Sequence, residues 1–290
     1  MTQQQRLLLM LLPYGAGLVL LVGAPAAITF GLALTEWDLV RSPRFAGLDN
    51  FRELWSDDVF RTSVRNSATF ALFSVPMRLV AAAALGLLLA ARLRGRNALR
   101  TTVYLPTVVP DAAFALLFLW ILNPLYGPLN LTLDALGAPT PRWFTDPTAA
   151  RWGVVVIAAF QIGEAFLIVL AVRQAVPREL YDAARVDGAR AWSMLAGITL
   201  PLIAPALVLL ALRDTIWSLQ ASFVPALLIW DGGPPPYATT YAPVFVYRTS
   251  FEYLRYGYGA AATVLLFLVT AAVIAVQWLG VRRWRSALAV

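Results

Sequence analysis

Six blocks of the sequence are nearly free of charged residues, and each is long enough to form a helix across a lipid bilayer. The hydrocarbon layer is about 30 Å thick, and an α-helix of about 20 residues crosses it. The sequence therefore predicts an all-α membrane protein with six transmembrane helices. The blocks are Leu7–Thr35, Asn66–Ala91, Thr101–Leu122, Trp152–Val172, Met194–Trp230 and Tyr256–Val281.

Two of these blocks are longer than one span requires. Leu7–Thr35 exceeds the apolar core of a cleavable signal peptide, so we expect it to remain as a membrane anchor. Met194–Trp230 would be about 55 Å long as a straight helix, so we expect the part before Pro201 to lie outside the hydrocarbon layer. We expect residues 1–290 to form one transmembrane domain, with short outer connections.

The residue types that the chain lacks exclude several kinds of site. It has no Cys and no His, and all 23 basic residues are arginine. Disulfide bonds, thiolate and imidazole catalysis and the usual zinc ligands are therefore excluded, and we predict no metal site. A nucleotide-binding P-loop is excluded because it needs a lysine. The net charge of +7 comes from arginines near the ends of the apolar blocks rather than from one basic stripe, which argues against a nucleic acid partner.

The arginines also predict which ends of the spans face the cytoplasm, because cytoplasmic segments collect positive charge. With the amino terminus inside, the inner segments carry twelve arginines against three acidic residues, and the outer segments carry nine against ten. This distribution predicts that both termini are cytoplasmic. The inner arginines are Arg6, Arg92, Arg94, Arg96, Arg100, Arg173, Arg178, Arg185, Arg190, Arg282, Arg283 and Arg285.

The largest inner loop lies between spans four and five and is strongly charged. Its segment Glu179–Trp192 reads ELYDAARVDGARAW, with good helix formers after Pro177 and a helix breaker at Gly188. We expect two short helices near the membrane surface. The small residues and charges of this loop suit the docking of another protein, and a solvated loop that only connects two spans is the open alternative.

This loop resembles the EAA loop of permease subunits of bacterial ATP-binding-cassette (ABC) importers. The match comprises Asp182-Ala183-Ala184, Gly188 and Ile198-Thr199-Leu200-Pro201 within a loop at about 174–201, and ELYDAARVDGA is similar to carbohydrate-uptake permeases of the maltose and glycerol-3-phosphate type. Asp182 stands where the family usually has Glu, which keeps the charge on a shorter side chain. Further similar stretches lie at Phe45–Phe51, Arg100–Pro106, Leu122–Pro124 and Trp230–Pro234.

The resemblance implies a type I importer permease with a MetI-like fold, a multi-pass protein of the bacterial cytoplasmic membrane that is not itself an enzyme. It implies as partners a second permease subunit in a heterodimer, two cytoplasmic ATPase subunits and an extracytoplasmic solute-binding protein. ATP and Mg²⁺ would bind to the ATPase subunits, and no cofactor to this chain. The EAA loop would dock into an ATPase subunit and transmit its closure to the membrane helices. The coupling residues implied are Glu179, Asp182, Ala183, Ala184, Asp187 and Gly188.

Polar residues at membrane depth indicate where a solute would pass, because they are costly in lipid and usually line a cavity. Glu164 in span four and Asp214 in span five fall at similar depth, and Trp217 shares a helical face with Asp214. Aromatic rings beside carboxylates and amides suit a sugar or another polyhydroxylated ligand. The predicted substrate path comprises Gln161, Glu164, Asp214, Trp217, Ser218 and Gln220.

Several alternatives stay open at this point. An ion pair or a contact with the second permease subunit would also explain Arg213 and Asp214. Interhelical pairing would explain Arg78 and Asp111, and for Asp111, beside Pro106 and Pro110, so would the capping of a broken helix. A self-sufficient secondary transporter or channel would need its own coupling-ion site and usually a repeated half, neither of which is visible. A membrane-embedded hydrolase would have only carboxylates for acid–base work, and we predict no catalytic residue. The identity of the solute is also open.

Overall fold

The protein, described here from a computed structural model, consists almost wholly of helices. The structure describes residues 2–91, 94–221, 223–234 and 237–288, so Arg92 of the predicted inner segments lies outside the described residues. The first half contains α1 (Gln3–Leu18), α2 (Ala24–Leu32), β1 (Thr35–Glu36), β2 (Arg44–Phe45), α3 (Asp49–Ser56), α4 (Asp58–Ala90), α5 (Arg96–Val108), α6 (Asp111–Ile121) and α7 (Pro128–Ala135). The second half contains α8 (Pro147–Ala159), α9 (Gly163–Ala175), α10 (Arg178–Val186), α11 (Ala191–Met194), α12 (Leu200–Ala221), α13 (Phe223–Trp230), α14 (Ala242–Tyr247) and α15 (Tyr256–Leu288). Short π-helical turns occupy Val19–Gly23, Leu195–Thr199 and Arg248–Glu252.

The helices account for the six predicted spans. In the described part of the chain, four helical stretches are long and apolar enough to cross a membrane: Leu9–Leu32, Asp58–Ala90, Ala191–Trp230 and Tyr256–Val281. The pairs α5 with α6 and α8 with α9 also qualify, but each pair is bent, by 102° and 43° respectively. Counting each bent pair as one span gives six, at the positions that the sequence predicts. The predicted orientation of the termini stays a prediction.

One compact unit combines Met1–Arg61 with Pro243–Val269. Its strands β1 and β2 pair antiparallel, with Thr35 opposite Phe45. The side-chain amide of Asn50 is buried and donates to the backbone oxygens of Ala33 (3.0 Å) and Thr35 (2.9 Å). Asn50 therefore connects α3 to the end of α2. The Phe45–Phe51 stretch, which contains Asn50, thus has a structural role in holding this unit together.

The other compact unit contains Thr62–Ala242 and Thr270–Val290. Within it α6 packs on α13, and α9 packs on both α5 and α12. A buried cluster joins α4 to α9 around Phe166. Gly86 permits this contact, because an added Cβ would lie 2.8 Å from Val169 Cγ1. The loop predicted to couple to another protein and the predicted substrate path both belong to this unit.

Candidate functional site

Two spans of the second unit are interrupted within the membrane. The first break lies at Val109 and Pro110, where the backbone is extended (ψ of 129° and 137°) before α6 begins at Asp111. Proline explains this break, since it has no N–H to donate and disfavours helical geometry in the residue before it. The second break lies at 160–162, between α8 and α9. A broken helix at Asp111 is one of the alternatives that the sequence leaves open, whereas the sequence predicts no break in span four.

The two breaks contact each other through polar groups. The backbone N–H of Gly163 donates to Thr107 Oγ1 (3.1 Å), and Gln161 Nε2 donates to Asp111 Oδ1 (3.2 Å). Backbone groups released from a helix at membrane depth must find such partners. Gly163 is required by close packing, because an added Cβ would lie 3.0 Å from Tyr104 Cδ2.

A cavity of about 190 Å³ lies beside these breaks. Its walls come from α4, from the two breaks and from the facing parts of α9 and α12. Two arginines and three carboxylates line it, so its lining carries a formal charge of −1. These charged residues are Arg78, Asp111, Glu164, Arg213 and Asp214.

Arg78 is the buried cation of the cavity. Its side chain is 2% exposed and forms a 3.0 Å ion pair with Asp214 of α12. The guanidinium group also donates to the Ser218 hydroxyl, and it lies over the Trp217 ring, 4.5 Å from the centroid. Through these contacts Arg78 fixes the positions of three α12 side chains, those of Asp214, Trp217 and Ser218. Loss of Asp214 would leave the buried guanidinium charge uncompensated.

The second ion pair of the cavity is more accessible. Arg213 of α12 donates to Glu164 in the first turn of α9, and the two side chains are 55% and 51% exposed. Exposed ion pairs contribute about 0–1 kcal/mol. Replacing this pair by contacts with a solute would therefore cost little.

The structure brings together four of the six residues predicted for the substrate path. Gln161, Glu164, Asp214 and Trp217 line the cavity. Ser218 is fully buried and accepts the hydrogen bond from Arg78. Gln220 is exposed and does not line the cavity. Their contact with a solute stays a prediction.

Sequence reasoning assigned no cavity role to Arg78, Thr107 or Asp111. Arg78 is the single charge of its span, so the acidic residues of the other spans were its obvious partners. The interhelical pairing considered for Arg78 is present, and it involves Asp214. Pro110 signalled that Asp111 follows a break, but nothing in the sequence marks Thr107.

The charged loop between spans four and five is divided at Gly188 as predicted, but only its first helix is short. The second helix continues into span five as the helical stretch Ala191–Trp230. Helix α10 ends in a reverse turn at Gly188, where φ is +75°. The N–H of Ala189 donates to Ala184 O (2.9 Å), and that of Gly188 donates to Arg185 O (3.1 Å), which is the Schellman pattern that glycine favours. The next helix begins at Ala191.

Most of the predicted coupling residues are exposed on this loop. Ala184 is half-buried, and the other five are exposed: Glu179, Asp182, Ala183, Asp187 and Gly188. Asp182 pairs with Arg185 one turn later, at 2.5 Å. This pair is exposed and hence weak, so Asp182 is available to another cation.

Tyr181 fixes α10 to the membrane helices. Its side chain is buried, and its hydroxyl lies 2.8 Å from Thr199 Oγ1, at the turn before α12. The guanidinium of Arg173, near the end of α9, lies 4.3 Å from the centre of the Tyr181 ring. The loop is therefore attached to α9 and α12, two of the helices that line the cavity. Within the described residues, no three acidic side chains are grouped so as to hold a metal ion.

Comparisons with known proteins agree with this architecture. Residues 82–286 match the family model described as "Binding-protein-dependent transport system inner membrane component". The sulfoquinovosyl glycerol transport system permease SmoG of Agrobacterium fabrum is 30% identical over 85% of this chain and 79% of its own length. The trehalose/maltose transport system permease MalF of Thermococcus litoralis is 29% identical over 90% and 88%, respectively.

The fold matches a solved transporter as well. A bacterial ABC transporter involved in the import of the acidic polysaccharide alginate is 25% identical, with a TM-score of 0.81 over 97% of this chain and 96% of the matched chain. The family model covers most of the sequence, and the helices provide several membrane spans. The chain is a multi-pass inner membrane protein that belongs to the family of inner membrane components of binding-protein-dependent transport systems, the permease subunits of ABC importers.

Proposed function

We propose that this permease moves a sugar or a related polyhydroxylated solute through the cavity between α4, α9 and α12. The observation that carries the proposal is the position of Trp217 beside Asp214, Gln161 and Glu164 in one cavity. An indole ring stacks on the C–H face of a sugar while carboxylates and amides accept its hydroxyl protons. The names of the relatives, which refer to sulfoquinovosyl glycerol, trehalose and maltose, support the same class of solute.

The charge of the cavity favours an uncharged sugar, such as the trehalose and maltose in the name of one relative, over an acidic one, such as the sulfonate sulfoquinovosyl glycerol in the name of the other. Arg78 and Arg213 are both paired, with Asp214 and Glu164 respectively. Asp111 is the remaining charged residue of the lining, and it is an anion. An acidic sugar would approach a site with a formal charge of −1 and would be repelled by it.

The size of the cavity supports a site shared between two permease subunits. Binding cavities for small organic ligands usually measure about 300–1,000 Å³, whereas this one measures about 190 Å³. A second, related permease chain would contribute the opposite wall. Such a heterodimer would bind the solute between its two subunits.

The energy for transport would come from other subunits. In this proposal α10 docks into a groove of a cytoplasmic ATPase subunit, with Asp182 exchanging Arg185 for a cation of the ATPase and Ala183 packing in the groove. Two such ATPase subunits hydrolyse ATP, and an external binding protein delivers the solute. The family description, which names transport systems that depend on binding proteins, supports the last partner.

The cavity is tested by solute-stimulated ATP hydrolysis in the assembled transporter, reconstituted with its binding protein and a panel of neutral and acidic sugars. Trp217→Ala removes the stacking surface, and Glu164→Gln removes one acceptor charge. We expect both changes to raise the solute concentration for half-maximal stimulation by about tenfold, because a lost buried aromatic contact or charged hydrogen bond is worth roughly 1–3 kcal/mol.

Ile216→Ala is the matched control, since Ile216 adjoins Trp217 on α12 but is exposed and lies outside the cavity. It should leave the stimulation curve unchanged. If Trp217→Ala and Glu164→Gln also match the wild type at every solute concentration, the solute passes elsewhere. Stimulation by an acidic sugar alone would refute the preference for an uncharged solute.

A further inference from the structure

A second, larger pocket lies next to α10, at the ends of the neighbouring membrane spans. It measures about 800 Å³ and is formed by the ends of α4 and α9 and the beginnings of α5 and α10. Five arginines and one aspartate line it. These charged residues, here called the arginine pocket, are Arg96, Arg100, Arg173, Arg178, Arg185 and Asp182.

The positive charge of the arginine pocket is largely uncompensated. Asp182 pairs with Arg185, and the other four arginines have no carboxylate partner within the described residues. They come from three different helices, so they converge on one space rather than follow one helical face. Repulsion among them makes an anion the natural occupant.

Two of these arginines are held in position by the protein itself. Arg100 Nη2 donates to Leu89 O at 2.6 Å, whereas its Nε is buried without a partner among the described residues. Arg173 is held over the ring of Tyr181. Because their side chains are already ordered, binding an anion loses less conformational freedom than it would at a solvated loop.

The pocket also has an apolar wall, which includes Leu87, Ala90 and Val176. These residues lie at the ends of membrane spans, where lipid headgroups and the first part of the acyl chains are located. A free phosphate ion would need only the arginines. A phospholipid would use both the arginines and the apolar wall.

We propose that the arginine pocket binds the phosphate group of an anionic phospholipid headgroup. Guanidinium groups bind phosphate oxygens through paired charge-assisted hydrogen bonds, and basic pockets between membrane helices on the cytoplasmic side suit such headgroups. The lipid would contact α10 through Arg178 and so steady the loop that the proposed function assigns to coupling. The site itself does not depend on the identity of the transported solute.

The test uses the assembled transporter in neutral detergent, titrated with dioctanoyl phosphatidylglycerol, dioctanoyl phosphatidylcholine or inorganic phosphate. Native mass spectrometry counts the bound molecules. We expect phosphatidylglycerol to bind at least about tenfold more tightly than phosphatidylcholine, because both lipids carry the phosphate but the uncompensated arginines repel the trimethylammonium group of phosphatidylcholine. The double variant Arg96→Gln/Arg178→Gln, which alters two exposed arginines of the pocket, should lose this preference.

Arg142→Gln is the control, because it removes the same charge from an exposed arginine outside the pocket. It should bind phosphatidylglycerol as the wild type does. The pair Arg96→Lys/Arg178→Lys keeps the charge but loses the planar fork, so it should bind with intermediate affinity, and recovery of intact complex shows that each variant folds.

Binding of inorganic phosphate as tight as that of phosphatidylglycerol, and lost in the double glutamine variant, supports the phosphate site but assigns it to free phosphate. Equal binding of the two lipids overturns the proposal. So does a double glutamine variant that binds like the wild type. Absence of any anion from the assembled transporter also overturns it, and would leave the pocket to an acidic segment of a partner protein.

Discussion

Two neighbouring residues of α12 form ion pairs that differ in burial, and this difference predicts unequal responses to the same chemical change. Asp214 pairs with Arg78, and the two side chains are 22% and 2% exposed. Arg213 pairs with Glu164, and about half of each side chain is exposed. Asp214→Asn and Glu164→Gln each replace a carboxylate by an amide of similar shape, so each leaves one arginine without its anion.

The magnitudes follow from what happens to that arginine. Arg78 cannot reach water, so Asp214→Asn leaves a buried charge and should lower the free energy of unfolding by about 3–5 kcal/mol. Arg213 can be solvated, so Glu164→Gln should cost about 0–1 kcal/mol. At about 2 °C per kcal/mol for a chain of this size, the melting temperature should fall by roughly 6–10 °C in the first variant and by about 2 °C or less in the second.

Thermal melting of the purified transporter measures both values. The double variant Asp214→Asn/Arg78→Met removes the orphaned charge and keeps an unbranched side chain in its place, so it should recover most of the lost stability. Equal melting temperatures for the two single variants would refute the difference in burial. Failure of Arg78→Met to restore stability would refute the idea that an unpaired guanidinium causes the loss.

Two glycines give further predictions. Gly188→Asp places a side chain at φ +75°, which costs about 1–2 kcal/mol. It should leave the transporter assembled but uncouple ATP hydrolysis from solute uptake in vesicles, and unchanged uptake would contradict the docking role. Gly137→Asp is the control: it imposes the same strain at φ +67° in another loop and should leave coupling intact. Gly163→Ala brings a Cβ into collision with Thr107 Oγ1 and to 3.0 Å from Tyr104 Cδ2. It should destabilise the transporter by about 1–3 kcal/mol, measured by melting. Gly197→Ala, whose Cβ meets nothing within 4 Å, is the control, and equal melting of the two variants would show that the break tolerates a side chain.

The spans were predictable because the bilayer imposes their length on the sequence. A block such as Tyr256–Val281 contains no charge over its full length, and no soluble fold demands that. The reverse turn at Gly188 was predictable for a similar reason, since it depends only on neighbouring residues. Both features are local, and the sequence shows them directly.

The breaks were less predictable because only one of them has a local cause. Pro110 accounts for the first break. The second break has no proline, and its geometry is stabilised by the hydroxyl of Thr107, which lies on another helix. In the sequence of α9 only Gly163 hints at this contact. A glycine in a membrane helix often serves only to let a neighbouring helix approach closely, so Gly163 alone did not predict a break.

The pairing of arginines with carboxylates in the cavity was also not predictable from neighbouring residues in the sequence. Depth along a helix placed Glu164 and Asp214 at one level, but it could not say which arginine pairs with which acid. Arg213 adjoins Asp214 in sequence, yet consecutive residues of a helix point in different directions. Asp214 therefore pairs with Arg78 of α4, while Arg213 reaches Glu164 of α9. Gln220 shares nearly the same helical face as Arg213 but lies about 10 Å farther along α12, beyond the cavity.

The contacts of Tyr181 connect the charged loop between spans four and five, for which we propose a coupling role, to the cavity. Its ring lies under Arg173 near the end of α9, and its hydroxyl bonds to Thr199 at the turn before α12. At 1.5 Å per residue, Arg173 is about 14 Å from Glu164 along α9, and Thr199 is about 22 Å from Asp214 along α12. A displacement of α10 therefore reaches both cavity helices through one buried side chain. Because α9 begins at a break and α12 continues past the cavity, the two helices need not respond equally. The exposed Arg213–Glu164 pair joins them at the point where their motions would differ.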